Sequence, residues 1–134
     1  MPKMVLLLSF FWIFLACAGD EPGDVILPAE VLDIPGTLYS PSANNFADTY
    51  TNFIAALDAN QAISIVAEVD HTANSLSVGR VLNPTRIVFF GNPVLGTPLM
   101  QENQLAGLDL PQKVLFFENE EEVVYAVYNS VKFL

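Results

Sequence analysis

The sequence predicts an α+β domain: a single curved antiparallel sheet of about five strands with two or three helices against one face. Three observations carry that expectation. Phe46, Tyr50, Phe53, Ile54 and Leu57 recur at spacings of three and four, which is one face of a helix. Ile63, Ile65, Ala67 and Val69 alternate with Ser64, Val66 and Glu68, which is a strand with one buried face. Near the C-terminus, KVLFFE and VVYAVYN flank the glutamate-rich turn ENEEE, the pattern of an antiparallel hairpin.

In chain order, Thr37 to Tyr39 reads as a short strand ended by Ser40-Pro41. The helix follows. Asn45 is its cap, Asp48 completes a capping-box spacing, and Asn60 is a left-handed terminator. The alternating strand then ends at Asp70-His71-Thr72, and HTANSLSVG forms a short helix. After Pro84 comes TRIVFF, an apolar run suited to an interior sheet position. Gly91-Asn92-Pro93 turns the chain off that strand. Thr97 is an N-cap followed by Pro98 at the first helical position, so a helix starts there and ends at Gly107. LDLPQ leads into the hairpin, whose turn lacks glycine and therefore favours a longer loop over a two-residue primed turn.

Composition limits the function. The chain has 134 residues, room for one domain, with 5 basic against 15 acidic side chains and a formal charge of -10. Arg80, Arg86, Lys113 and Lys132 are scattered, so no basic face exists for phosphate neutralisation and nucleic acid is not an expected partner. The acidity serves solubility and disfavours anionic headgroups, so attachment to a membrane needs an apolar anchor.

Such an anchor is read at the N-terminus. Lys3 precedes an apolar run from Met4 to Leu15, broken only by Ser9. As a helix that run spans about 18 Å. A hydrocarbon core is about 30 Å thick, so the run fits the apolar core of a signal peptide, residues 1–16, better than a span. Leu15-Ala16-Cys17-Ala18-Gly19 resembles the lipobox of bacterial lipoproteins, in which cysteine becomes the lipidated first residue after cleavage. The match departs from the usual pattern, with Phe14 and Leu15 where leucine and a small residue are favoured. An ordinary signal peptide with an incidental cysteine and an uncleaved anchor are the alternatives. Residues 17–35 are then lipidated Cys17 and a tether, rich in acids and in Pro22, Pro28 and Pro35, which disfavour regular helix. Val25-Ile26-Leu27 is expected to dock on the domain. The expected location is the cell envelope, exported and lipid-anchored.

The pieces VDH (69–71), VGRVLNPT (78–85), FFGNPVLGTPLM (89–100), LAGLDLPQKVL (105–115) and VYN (127–129) occur in an order and spacing that resembles the bacterial family called domain of unknown function 302 over residues 36–129, within a domain read as residues 36–134. The resemblance implies a curved antiparallel sheet with helices on one face, similar in class to TATA-binding-protein-like folds, and brings no settled activity. It marks Asp70, His71, Asn92, Pro93, Gly96, Thr97, Asp109, Pro111 and Asn129 as motif positions. Family members commonly continue into a C-terminal helix beyond the position of Leu134, so part of the sheet cover is expected from the tether or a partner.

Site candidates follow from side-chain chemistry. His71 is the one histidine and the natural proton carrier near neutrality. Asp70 is its neighbour, but neighbours on a strand point to opposite faces. Asp109 is the better group to orient the ring if LDLP lies close. One hypothesis is therefore an enzyme using His71 as general acid or base, in a polar pocket with Asn92, Thr97 and Asp109. The favoured hypothesis is a binding module for a small ligand or a protein, with binding groups among Asn92, Thr97, Asp70 and Asn129. The bland alternative makes these residues hydrogen-bonded turn formers. One histidine and one cysteine argue against a metal centre, and no cofactor motif is present: Gly91 and Gly96 lack a phosphate-loop lysine. Free amides at residues 98–100 are expected to suit a small anion. In the pairs Phe89-Phe90 and Phe116-Phe117 each strand sends one ring to each face. The half facing away from the helices suits core packing, a ligand groove or a homodimer contact.

Overall fold

A computed structural model describes residues 34–130. The leader, Cys17, the tether and its Val25-Ile26-Leu27 segment lie outside the described residues.

The element order is β1 (Thr37–Ser42), α1 (Phe46–Asp58), β2 (Ser64–Asp70), α2 (His71–Ser77), β3 (Thr85–Gly91), α3 (Pro93–Glu102), a 3-10 turn (Gln104–Leu108), β4 (Gln112–Glu118) and β5 (Val124–Asn129). The strands form one five-stranded sheet in the order β1-β5-β4-β3-β2, antiparallel throughout. This is the α+β architecture that the periodicities predict.

α1 forms where its apolar face and its cap coincide. The Asn45 side-chain oxygen accepts the Asp48 amide at 2.9 Å, and its amide nitrogen donates to the Asp48 carboxylate at 2.8 Å. Its exit differs from expectation. Ala59 is the C-cap in right-handed helical conformation, and the Asn60 side chain accepts the Ala62 amide at 3.1 Å, so Asn60 ends the helix by a side-chain turn rather than a left-handed backbone. β1 also runs further than expected, through Pro41 to Ser42. An edge strand tolerates Pro41 because it pairs on one side alone, with β5.

The core lies between α1 and one face of the sheet. Tyr50 and Leu57 meet Val88, Val114 and Phe116, with Phe46, Phe53, Ile54, Ile65, Phe90 and Ala126 packed around them. Phe116 sits edge-on to Tyr50 at 5.7 Å and tilted against Phe53 at 5.0 Å. The opposite face carries Ile87, Phe89, Leu115, Phe117, Tyr125 and Val127, where Phe117 stacks on Tyr125 at 5.3 Å. Each phenylalanine pair thus divides between the faces. The Tyr125 hydroxyl is buried and makes no hydrogen bond among the described residues.

β2 breaks the simple alternation. A bulge between Ile65 and Ala67 leaves Ile65 opposite Phe90 but Ala67 opposite Phe89. Ile65 therefore faces α1, while Ala67 and Val69 face away, and Glu68 comes onto the α1 side opposite Val88. An extra residue inverts the face of everything after it, which an alternating pattern in sequence cannot register.

The β4–β5 loop replaces the missing glycine with a side chain. Asn119 accepts the amides of Glu121 at 3.0 Å and Val123 at 2.8 Å, and Glu122 takes the left-handed conformation at φ 61.

Candidate functional site

The sheet has two ends, and the motif residues divide between them. At one end β2 finishes and β3 begins, because Asp70 pairs with Arg86. At the other, β3 finishes, β4 begins, and Asn129 pairs with Thr37. The length of β3 separates them, about 20 Å at ~3.3 Å per residue.

His71 and Asp70 occupy the first end. Asp70 N-caps α2, accepting the Ala73 amide at 2.8 Å, and pairs with Arg86 at 2.8 Å. The Ala73 hydrogen bond, ahead of the Arg86 charge, holds its carboxyl below the usual range. The Arg86 guanidinium also lies 5.1 Å from the Tyr50 ring centroid, and the Tyr50 hydroxyl donates a hydrogen bond to Glu68. Burial, then Glu68, push the Tyr50 phenol up to about 12. Pattern reading missed this Tyr50–Glu68–Arg86–Asp70 network, because the bulge in β2 is what brings Glu68 to the α1 face. His71 is the half-buried first residue of α2.

Asp109 belongs to the other end. It closes the 3-10 turn, and its amide donates to Ala106 at 3.2 Å. The expected His71–Asp109 pairing therefore does not form: the two residues sit at opposite ends of β3, beyond hydrogen-bonding reach. The enzyme reading built on that pair loses its geometry.

At Asp109's end lies a cleft of about 270 Å³ lined by Ser64, Val66, Gly91, Asn92, Pro93, Gly96, Met100, Leu110 and Pro111. Its walls come from the β2 bulge, the start of α3 and the entry to β4. Asn92, rather than Thr97, caps α3. Its side-chain oxygen accepts the Val94 amide at 2.9 Å and Pro93 takes the first helical position. Thr97 and Pro98 lie inside the helix, on its exposed side. Residues 98–100 are thus mid-helix, and no free helix start exists there for the expected anion. The helix stops at Asn103, which caps the 3-10 turn by accepting the Leu105 amide at 3.0 Å, so the turn containing Gly107 is a separate element. Gly96 and Gly107 face close neighbours: a Cβ at Gly96 would lie 3.4 Å from the Leu110 side chain, and one at Gly107 would lie 3.4 Å from the Met100 sulfur. Leu110–Pro111 is a cis peptide.

Four motif positions, Asn92, Pro93, Gly96 and Pro111, meet in this cleft. Asn129 ends β5 at the same end of the sheet without lining it. Ser64, Val66, Met100 and Leu110 were not foreseen as lining residues. One signal existed for Val66, an apolar residue on the otherwise polar side of an alternating strand. Among the described residues, no group of three His, Cys, Asp or Glu is placed to hold a metal ion, and no helix is long and apolar enough to cross a membrane.

Three curated relatives are named fluoride-specific ion channels. Those from Brucella suis biovar 1 (strain 1330) and Brucella melitensis biotype 1 are each 33% identical over 120 residues, 87% of this chain and 46% and 44% of the relatives respectively. The chain thus spans less than half the length of the curated relatives it matches. A crystal structure of an uncharacterized conserved protein DUF302 from Bacillus stearothermophilus superposes with a TM-score of 0.63 at 15% identity, covering 72% of this chain and 74% of that one, which is a likeness of fold. Residues 38–134 match the family described as domain of unknown function DUF302, and with the fold and the motif order in agreement, the chain belongs to that family.

Proposed function

We propose that the protein is a binding module of the cell envelope, tethered through lipid on Cys17, that takes a small apolar ligand or an apolar protein segment in the cleft between β2, α3 and the entry to β4. The carrying observation is the chemistry of the lining. Val66, Pro93, Met100, Leu110 and Pro111 supply apolar walls, and Asn92 and Ser64 are the polar side chains. Asn92 spends its oxygen on the Val94 amide, which leaves its amide nitrogen to orient a ligand carbonyl or hydroxyl. Apolar walls with few placed polar groups suit binding better than proton transfer.

The cleft is tested with a neutral apolar fluorophore such as N-phenylnaphthylamine. The native chain is expected to raise its emission, and Gly96→Leu, which places a side chain between α3 and Leu110, is expected to abolish the rise while the circular dichroism spectrum is retained. Equal emission with both proteins refutes the cleft. The anchor is tested by palmitate labelling: incorporation is expected in the native chain and lost in Cys17→Ser, and no incorporation in either refutes it.

A further inference from the structure

Asp109 is a motif position that neither the cleft nor a pairing with His71 accounts for. It lines a second groove, of about 440 Å³, which shares Leu110 with the cleft. The walls of this groove are Leu99 from α3, Leu105 and Leu108 from the 3-10 turn, and Leu110. The first three are 57–81% exposed. Polar groups are few. Asn103 and Gln112 supply side-chain amides, and Asn103 already gives its oxygen to the Leu105 amide at 3.0 Å.

Among the described residues that line the groove, Asp109 is the single ionisable one. It is half-buried, and its backbone amide donates to Ala106. Its carboxylate has neither a hydrogen bond nor an ion pair with any described residue. No nearby cation of the chain takes that place. Between Asn92 and Gln112 there is no lysine or arginine. Lys113 pairs with Phe89, so it points to the opposite face of the sheet from Gln112. Glu102, the last residue of α3, adds a further negative charge to this end.

A carboxylate set against leucine walls loses hydration that no described residue returns. An anionic ligand is repelled there, and a neutral apolar one covers the carboxylate without pairing it. An aliphatic chain with a cationic head satisfies both parts of the lining. The volume falls in the range of about 300–1,000 Å³ usual for small-molecule sites, which favours a small amphiphile over a helix. We infer that this groove is a binding site for an aliphatic ammonium, with the alkyl chain on Leu99, Leu105 and Leu108 and the ammonium beside Asp109. The site is separate from the cleft and depends neither on it nor on the anchor at Cys17.

The test titrates the full chain with octylammonium, octanol and octanoate, read on the leucine and valine methyl resonances. Octylammonium should move the Leu99, Leu105 and Leu108 methyls and bind about fivefold more tightly than octanol, the scale of one partly exposed charge pair. Octanoate should bind least. Asp109→Asn should bring octylammonium down to the level of octanol with the circular dichroism spectrum retained. Because the chain is acidic overall, Glu120→Gln combined with Glu121→Gln is the control. Both lie on the β4–β5 loop at the other end of the sheet, and their loss should leave the preference unchanged. Equal binding of octylammonium and octanol by the native chain overturns the inference. So does a preference that survives Asp109→Asn, or one lost in the control, since net charge would then attract the ligand. Shifts at Val66 with none at Leu99, Leu105 and Leu108 place the ligand in the cleft and also overturn it.

Discussion

Replacing Phe116 by alanine removes the ring that joins α1 to the sheet. Phe116 is 2% exposed, sits on the central strand β4, and contacts Tyr50 and Phe53 at centroid distances of 5.7 and 5.0 Å. A buried phenylalanine truncated to alanine costs about 3–5 kcal/mol, from lost transfer energy and the cavity left behind. The two aromatic contacts place this site toward the upper part of that range. A domain of this size holds about 5–15 kcal/mol in total and loses about 4–8 °C of melting temperature per kcal/mol. Phe116→Ala should therefore lower the melting temperature by about 15 °C or more, read by thermal and urea unfolding with circular dichroism. Phe117→Ala is the internal control. Its ring points to the other face, is partly exposed and stacks on Tyr125 alone, so its loss should be nearer about 2 kcal/mol. If Phe116→Ala costs less than about 1 kcal/mol, or Phe117→Ala costs more than Phe116→Ala, the register of β4 against α1 is wrong, because a one-residue slip exchanges the two rings.

Tyr50 should ionise late, with its phenol raised to about 12 by burial and then by Glu68. An unfolded tyrosine ionises near 10, so the unfolded chain releases that proton first. The stability due to this group is complete below pH 10 and is lost as pH rises through 12; phenolate absorbance should show one fewer late-titrating group in Tyr50→Phe. Tyr125→Phe should raise stability by about 1 kcal/mol, because it deletes a buried hydroxyl that has no partner among the described residues, and a loss of that size in urea unfolding would mean the hydroxyl is bonded. Asn92→Ala should cost about 1 kcal/mol by removing the α3 cap and should also weaken fluorophore binding. Thr97→Ala, by contrast, should leave both nearly unchanged, and the reverse order would restore Thr97 as the cap.

What was readable in advance was whatever depends on local periodicity. The α1 face, the Asn45 cap, the hairpin and the division of the phenylalanine pairs follow from spacing within a few residues. The start of α3 was ambiguous for a physical reason. Asn92-Pro93 and Thr97-Pro98 are both a capping residue followed by a proline suited to the first turn, and local chemistry does not rank them. Asn92 wins where the chain leaves β3, and this start points Gly96 at Leu110.

The cleft was legible only as separate motif letters. Asn92, Pro93, Gly96 and Pro111 could be named, but their meeting requires the sheet register that lays β4's entry beside the end of β3. The same register puts His71 and Asp109 at opposite ends, so a pair chosen for its chemistry failed on distance. By itself the sequence determined the element types, the α+β class and the acidic composition, because periodicity, charge and turn residues act over short range. The tertiary structure decided the bulge in β2, the membership of the cleft and the Tyr50–Glu68–Arg86–Asp70 network. Each of these depends on which strands become neighbours, and strand order is set by the packing of the whole chain rather than by any segment of it.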